Sequence, residues 1–344
     1  MELEKVLAEA KEREITREEA LFLFRKVRSW DQLLELFRVA SKVRDEEVGH
    51  ELKLMGFSCC ITRCTTEPKC EYCFRWANED LFSQKAVIDR GGIELAVRAW
   101  EERGIRRAEL GGGTLWGEEG RRTTLEAARA ACSSGSVDIW INNGPSFLPE
   151  DVPTLKEIGV KGIACNLETL NRSLFERLRP GDNYQLRIDI IEASERAGLG
   201  IDNTLMIGLG EEGGAEHPYE DWVDFFFYFK RFENVEIIEV HPFRPIDNSP
   251  CQSMPPGSDF ECEKARAIAR LIFRDVNISG GNSLIGLLAG ANLATHVLPV
   301  TKEFRIWREK VHVRVDRLDR DLVLVDNLHV VTAAARDLGM EIEQ

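Results

Sequence analysis

From residue 52 onward the chain alternates short apolar runs with longer amphipathic stretches, and this rhythm restricts the fold more than any other feature. The runs cover residues 52–61, 108–110, 137–141, 162–167, 201–207, 235–240, 276–279 and 293–298. Between them lie helical patterns such as 86–104 and 184–198, the second closed by Gly198 at the position where a helix ends in glycine. Strands alternating with helices build βαβ units and a parallel sheet. Eight such strands predict an α/β chain folded as a (β/α)8 TIM-type barrel; a doubly wound open sheet is the alternative. Residues 1–50 read as helical. Thr16 stands three residues before Glu19, a capping-box spacing, and Ser29 is a candidate cap for a helix over 30–43. The expected organisation is an N-terminal helical cap over 1–50, a barrel over 51–299 and a C-terminal accessory segment over 300–344.

Charge narrows the partners. A formal net charge of −14 and a pI near 5.1 argue against a nucleic-acid surface or an anionic membrane. No apolar run approaches the length of a membrane span, and the first residues, MELEKVLAEAKERE, are charged, which leads to a cytoplasmic expectation. Cys59, Cys60, Cys64, Cys70 and Cys73 crowd into 15 of the 344 residues, while Cys132, Cys165, Cys251 and Cys262 are scattered. A disulfide framework would be short and cysteine-dense throughout; a local cluster in a long chain reads as a metal or redox site.

That cluster contains Cys64-Thr-Thr-Glu-Pro-Lys-Cys70-Glu-Tyr-Cys73, a C-x5-C-x2-C array directly after the first strand, where a barrel places active-site loops. Three thiolates in one loop can ligate three irons of a [4Fe-4S] cluster and leave the fourth open. An open iron is what a cluster that cleaves S-adenosylmethionine (SAM) requires. Zinc is the competing reading, with Cys59 or Cys60 as a fourth ligand, although paired C-x2-C motifs are missing. A redox pair from Cys70 and Cys73 would leave Cys64 unexplained. Further strand ends suit the same ligand. Tyr72 is an aromatic beside the third cysteine, placed to pack on adenine. Gly111, Gly112 and Gly113 end the second strand without Cβ atoms, so their carbonyls can approach an ammonium. Glu168 ends the fourth strand as an acceptor for ribose hydroxyls or an ammonium. Arg187 lies nineteen residues later and suits the methionine carboxylate. Ile207 and Leu209 flank glycines at the end of strand five, a backbone platform for adenine.

These motifs together resemble the radical SAM superfamily in its biotin synthase-like branch, over roughly four-fifths of the chain, from the helical preface to Leu287-Leu288-Ala289-Gly290-Ala291-Asn292. The resemblance implies a complete barrel that holds a [4Fe-4S] cluster and SAM in its upper mouth. It also implies a one-electron donor such as ferredoxin or flavodoxin, and a small-molecule substrate that loses a hydrogen atom to a 5′-deoxyadenosyl radical. The superfamily's usual array is C-x3-C-x2-C; the five-residue gap here resembles the HmdB type, associated with the iron-guanylylpyridinol cofactor of [Fe]-hydrogenase. Biotin synthase holds an auxiliary cluster on cysteines of its middle strands. Here Asp202 stands near one such position, and Trp140-Ile141-Asn142-Asn143 on strand three has no cysteine, so sulfur insertion is not expected. Asn142, Asn203, His241 and Arg244 are the expected substrate-facing groups; a structural role for His241 is the alternative.

Overall fold

The computed structural model describes residues 1–58, 60–77, 83–211, 217–295, 297–301 and 313–343. Three helices, α1 (Leu3–Glu9), α2 (Arg17–Lys26) and α3 (Trp30–Glu47), open the chain. The expected capping box forms, the Thr16 hydroxyl accepting from the Glu19 amide, and the expected cap Ser29 proves to be a second box, its hydroxyl accepting from the Gln32 amide, with the reciprocal bonds present in both. Their apolar faces, including Leu23, Phe24, Leu36, Phe37 and Val43, are buried in the main core.

Eight parallel strands follow, interleaved with helices: β1 (Glu51–Ser58), α4 (Arg90–Glu102), β2 (Arg107–Gly111), α5 (Glu118–Cys132), β3 (Asp138–Asn142), α6 (Val152–Ile158), β4 (Gly162–Ala164), α7 (Arg172–Leu178), α8 (Tyr184–Ala197), β5 (Gly200–Ile207), α9 (Tyr219–Phe229), β6 (Val235–Pro242), α10 (Asp259–Phe273), β7 (Asn277–Ile278), α11 (Leu284–Leu288) and β8 (Leu293–Thr295). All eight expected runs are strands. The order β1 to β7 is sequential, and β8 returns to pair with β1 through Lys53–Leu293, Leu54–Ala294 and Met55–Thr295. The sheet is therefore curled and closed, as the barrel reading requires, and the open-sheet alternative falls away.

Closure between β7 and β8 rests on the bridge Ser279–Leu293 and on backbone bonds from Asn292 N to Ile278 O (3.1 Å) and from Gly281 N to Leu293 O (2.9 Å). Side chains reinforce it. Arg270 on α10 is fully buried and donates to the carbonyls of Gly290 (3.0 Å) and Val276 (2.7 Å) and to Asn292 Oδ1 (2.7 Å). Asn292 Oδ1 also accepts from the Ile278 amide at 2.9 Å, and its amide group donates to Asn277. The Gly-Ala-Asn stretch that marks the family resemblance is thus the clasp of the barrel. The helical cap is tied on in the same manner: the buried Lys264 ammonium on α10 donates to the carbonyls of Phe24 and Val27 and to Glu261.

The remaining chain forms β9 (Leu298–Thr301), β10 (Arg314–Arg317), β11 (Leu322–Asp326), α12 (Leu328–Asp337) and β12 (Glu341–Ile342). Strands β10, β11 and β9 make a small antiparallel sheet, and β12 pairs parallel with Glu51 and Leu52 of β1. Strand β9 runs across residues 299 and 300, where the sequence placed a boundary.

Candidate active site

The segment after β1 carries the cysteines across the C-terminal end of β2, and backbone pairing fixes its course. The Ile61 amide donates to Gly111 O, the Gly113 amide to Thr62 O and the Thr65 amide to Thr114 O, at 2.8–3.0 Å. This close approach explains the glycines. A Cβ on Gly113 would lie 2.3 Å from Cys64 Cβ, one on Gly112 2.4 Å from Thr62 Oγ1, and one on Gly111 2.6 Å from Ser58 O. Their first visible role is to let the cysteine loop lie against the strand end. It changes the expectation for their carbonyls: Gly111 O is taken by Ile61, and Gly113 O by the hydroxyls of Thr62 and Ser146.

Two further side chains post the loop. The buried Arg75 guanidinium donates to the carbonyls of Thr66 and Cys64, and Trp76 Nε1 donates to Cys70 O at 2.8 Å. Cys64, Cys70 and Cys73 are all free thiols. Burial pushes Cys73 up to about 12 and raises Cys70, so both are protonated until a metal replaces the proton. Among the described residues, no three His, Cys, Asp or Glu side chains converge on a single-ion position. Three thiols carried on one loop can give one ligand to each of three irons. The donor set therefore fits a [4Fe-4S] cluster with one open iron. Cys59 lies outside the described residues, and Cys60 is buried beside Ala86, Val300 and Val325.

Around the loop the expected SAM-facing residues gather in two groups. Tyr72, Leu209, Leu178, Phe243 and Cys251 form one apolar cluster, which brings together Tyr72 and Leu209, both assigned to adenine. The Ile207 carbonyl, by contrast, accepts from the Phe243 amide at 2.8 Å. The second group is ionic. Tyr72 donates its hydroxyl to Glu168, which holds a left-handed backbone (φ 66°) that a glutamate adopts only under constraint. Arg179 lies 3.6 Å from Glu168 and 3.2 Å from Asp182. Arg187 is buried and donates to Asp182 at 2.8 Å and to Asn166 O at 2.9 Å. Asp182 and the Asn166 carbonyl thus fix the position of the Arg187 guanidinium. Burial raises the Asp182 carboxyl, and Arg187 and Arg179 more than offset that, leaving it well below the ordinary carboxylate range.

Of the expected substrate-facing groups, two face the barrel interior. Asn142 donates to Glu109 at 2.6 Å, and His241 Nε2 lies 3.6 Å from Glu239. Asn203 does not: its amide is spent on Cys165 O and the Leu167 amide, tying β4 to β5. Arg244 is half-exposed and bonded to Gly257 O and Asp259, on the rim. The interior instead holds Glu109, Asp202 and Glu239, which the sequence reading passed over as functional groups. Two of them carried a signal: Glu109 and Glu239 each stand between apolar residues of a strand. A cavity of about 880 Å³ between α4 and α5, lined by Ile61, Ile88, Ile93, Ala127 and Ala130, lies outside the barrel and has none of the three loop cysteines in its wall.

Comparisons with known proteins agree with this geometry. Residues 60–221 match the radical SAM superfamily profile. The uncharacterized protein MJ0785 of Methanocaldococcus jannaschii is 30% identical over 295 residues, covering 83% of this chain and 76% of that one. A biotin synthase of Carboxydothermus hydrogenoformans is 26% identical over 273 residues, 76% of this chain and 81% of its own. 3-Methylornithine synthase of Methanosarcina acetivorans is 25% identical over 91% of this chain and 86% of its own. A crystal structure of methylornithine synthase (PylB) superposes with a TM-score of 0.77 at 19% identity, over 98% of this chain and 97% of that one. The chain belongs to the radical SAM superfamily. It is an enzyme of that class, related to biotin synthase and methylornithine synthase, with a [4Fe-4S] cluster and SAM as its cofactors. No helix among the described residues is long and apolar enough to cross a membrane.

Proposed function

We propose that this enzyme acts in biosynthesis of the iron-guanylylpyridinol cofactor of [Fe]-hydrogenase, as the HmdB-type proteins it resembles do. The observation that carries this reading is the five-residue gap between Cys64 and Cys70, together with a barrel interior whose β3 and β5 offer Asn142 and Asp202 where an auxiliary cluster would need cysteines. When bound, the cluster and SAM supply a single electron and, from it, the 5′-deoxyadenosyl radical that takes a hydrogen atom from substrate. The protein's own part is placement. Cys64, Cys70 and Cys73 would hold the cluster. Tyr72 and Leu209 would pack on adenine, and Glu168 and Arg187 would take the polar groups of the methionyl and ribosyl parts. Asp182 and Arg179 fix the direction in which Arg187 and Glu168 point. The apolar floor from Met55, Trp140, Ile237 and Leu293 supports a substrate chamber and keeps water from entering below. The substrate is a small molecule, and a ferredoxin or flavodoxin would deliver the electron.

Deleting the gene in a host that makes [Fe]-hydrogenase tests the pathway. The expected outcome is folded apo-hydrogenase without its cofactor and with unchanged biotin supply. Normal cofactor content, with no second copy of the gene present, would end this reading. A second reading, a mutase or lyase on another small metabolite, draws on the 25% identity to 3-methylornithine synthase and predicts normal cofactor in the same strain.

A further inference from the structure

The barrel interior carries an imbalance of charge that its own residues do not cancel. Glu109 comes from β2, Asp202 from β5 and Glu239 from β6, and the side chains of Glu109 and Asp202 meet across the lumen at hydrogen-bonding distance, although their strands are not neighbours. Asp202 is fully buried and Glu109 is 3% exposed. Apart from that mutual contact, neither oxygen of Asp202 and not Oε1 of Glu109 has a hydrogen-bond partner among the described residues. Glu109 Oε2 accepts from Asn142, and Glu239 Oε2 accepts from Thr204 at 2.9 Å with His241 at 3.6 Å. The largest charged influences on Glu109 and Asp202 are each other, Glu239 and His241.

Buried carboxylates are kept when they meet a cation or share a proton, and unpaired acceptors aimed into a chamber are costly unless a ligand satisfies them. Burial and the neighbouring acids push Glu109 up to about 7 and raise Asp202. A primary ammonium suits the Glu109–Asp202 pair: it brings one positive charge and N–H donors to their unpartnered oxygens.

We infer that the substrate of this enzyme carries a protonated primary amine, held in the barrel lumen by Glu109 and Asp202, with the charge of Glu239 adding to their attraction. The inference rests on the lumen being the substrate chamber of a radical SAM barrel and not on the hydrogenase pathway, which the deletion strain tests separately. Asn142 and Thr204 orient the acids, and His241 stands at the outer side of Glu239.

The test uses the full-length protein with its reconstituted cluster. A small-molecule extract of the native cells is divided on a cation exchanger at about pH 2, where amines stay charged and carboxyls are protonated, and each fraction, returned to neutral pH, is scored for 5′-deoxyadenosine formed above the substrate-free background. The retained, cationic fraction is expected to stimulate and the unretained fraction not. In Glu109→Gln and Asp202→Asn, compared at equal iron content, that stimulation should fall by roughly tenfold or more, since each loses a charge-assisted contact. Glu239→Gln serves where either variant fails to take up iron. Stimulation by the unretained fraction, by neither fraction, or undiminished in the variants overturns the inference.

Discussion

Arg187 shows how one residue holds two duties. Its guanidinium is buried against Asp182, and Arg179 braces the same carboxylate from the other side. Removing one partner of a buried pair leaves the other charge uncompensated, so Arg187→Ala should destabilise the protein by about 2–4 kcal/mol near pH 7. The sign of its pH dependence follows from Asp182. A carboxyl depressed in the folded state contributes stability that is present above its unfolded pKa and lost as pH falls through the folded value. The gap between Arg187→Ala and the unaltered protein should therefore narrow below about pH 4. Urea denaturation at both pH values checks this; an equal gap at each would assign the loss to packing alone. The sequence singled out Arg187 through its spacing from Glu168, but not Asp182 or Arg179, because a turn such as Arg-Pro-Gly-Asp looks like any surface loop. Asn203, the expected substrate-facing group of β5, bonds to Cys165 O and the Leu167 amide, while its neighbour Asp202 faces the lumen, because strand alternation puts neighbours on opposite sides.

At the scale of elements, all eight strands and both helix caps were legible, since each rests on local pattern: apolar runs, capping boxes and terminal glycines. The role of the glycine run was not, because it depends on a contact between segments some fifty residues apart in sequence. Gly113→Ala places a methyl 2.3 Å from Cys64 Cβ and 2.7 Å from its Cα, so the cysteine loop must lift from β2. Iron content after reconstitution should fall by about half or more, towards the loss expected of Cys64→Ala. Gly91→Ala in α4, whose new Cβ would meet only Asp89 Oδ1 at 3.6 Å, should bind iron normally. Equal iron in both variants would mean that the loop does not depend on this contact.

For the molecule as a whole, the critical place is the seam between β7 and β8, where side chains reinforce the ladder bonds. Asn292→Leu deletes three hydrogen bonds, to Arg270, Ile278 and Asn277, and leaves the buried Arg270 guanidinium short of an acceptor. A loss of about 2–4 kcal/mol is expected, with amide exchange accelerated first at Ile278. Unchanged protection there would show that the seam is held by α10 and α11 packing. The sequence marked Gly290-Ala291-Asn292 only by family likeness; its work depends on Arg270, a residue that a helical pattern gives no reason to notice.

Strand β1 bears the cysteine loop, and the edge that closes the barrel is completed by β8, about 240 residues further along the chain. Synthesis proceeds at roughly 5–20 residues per second, so that edge stays bare for on the order of ten to fifty seconds after β1 leaves the ribosome. Throughout that interval the three thiols are chemically open, and the strand behind them offers unpaired amides to any other chain. The cell therefore has a window, set by chain order, in which iron and sulfide can reach the ligands before the barrel shuts, and in which a nascent chain is most exposed to oxidation and mispairing.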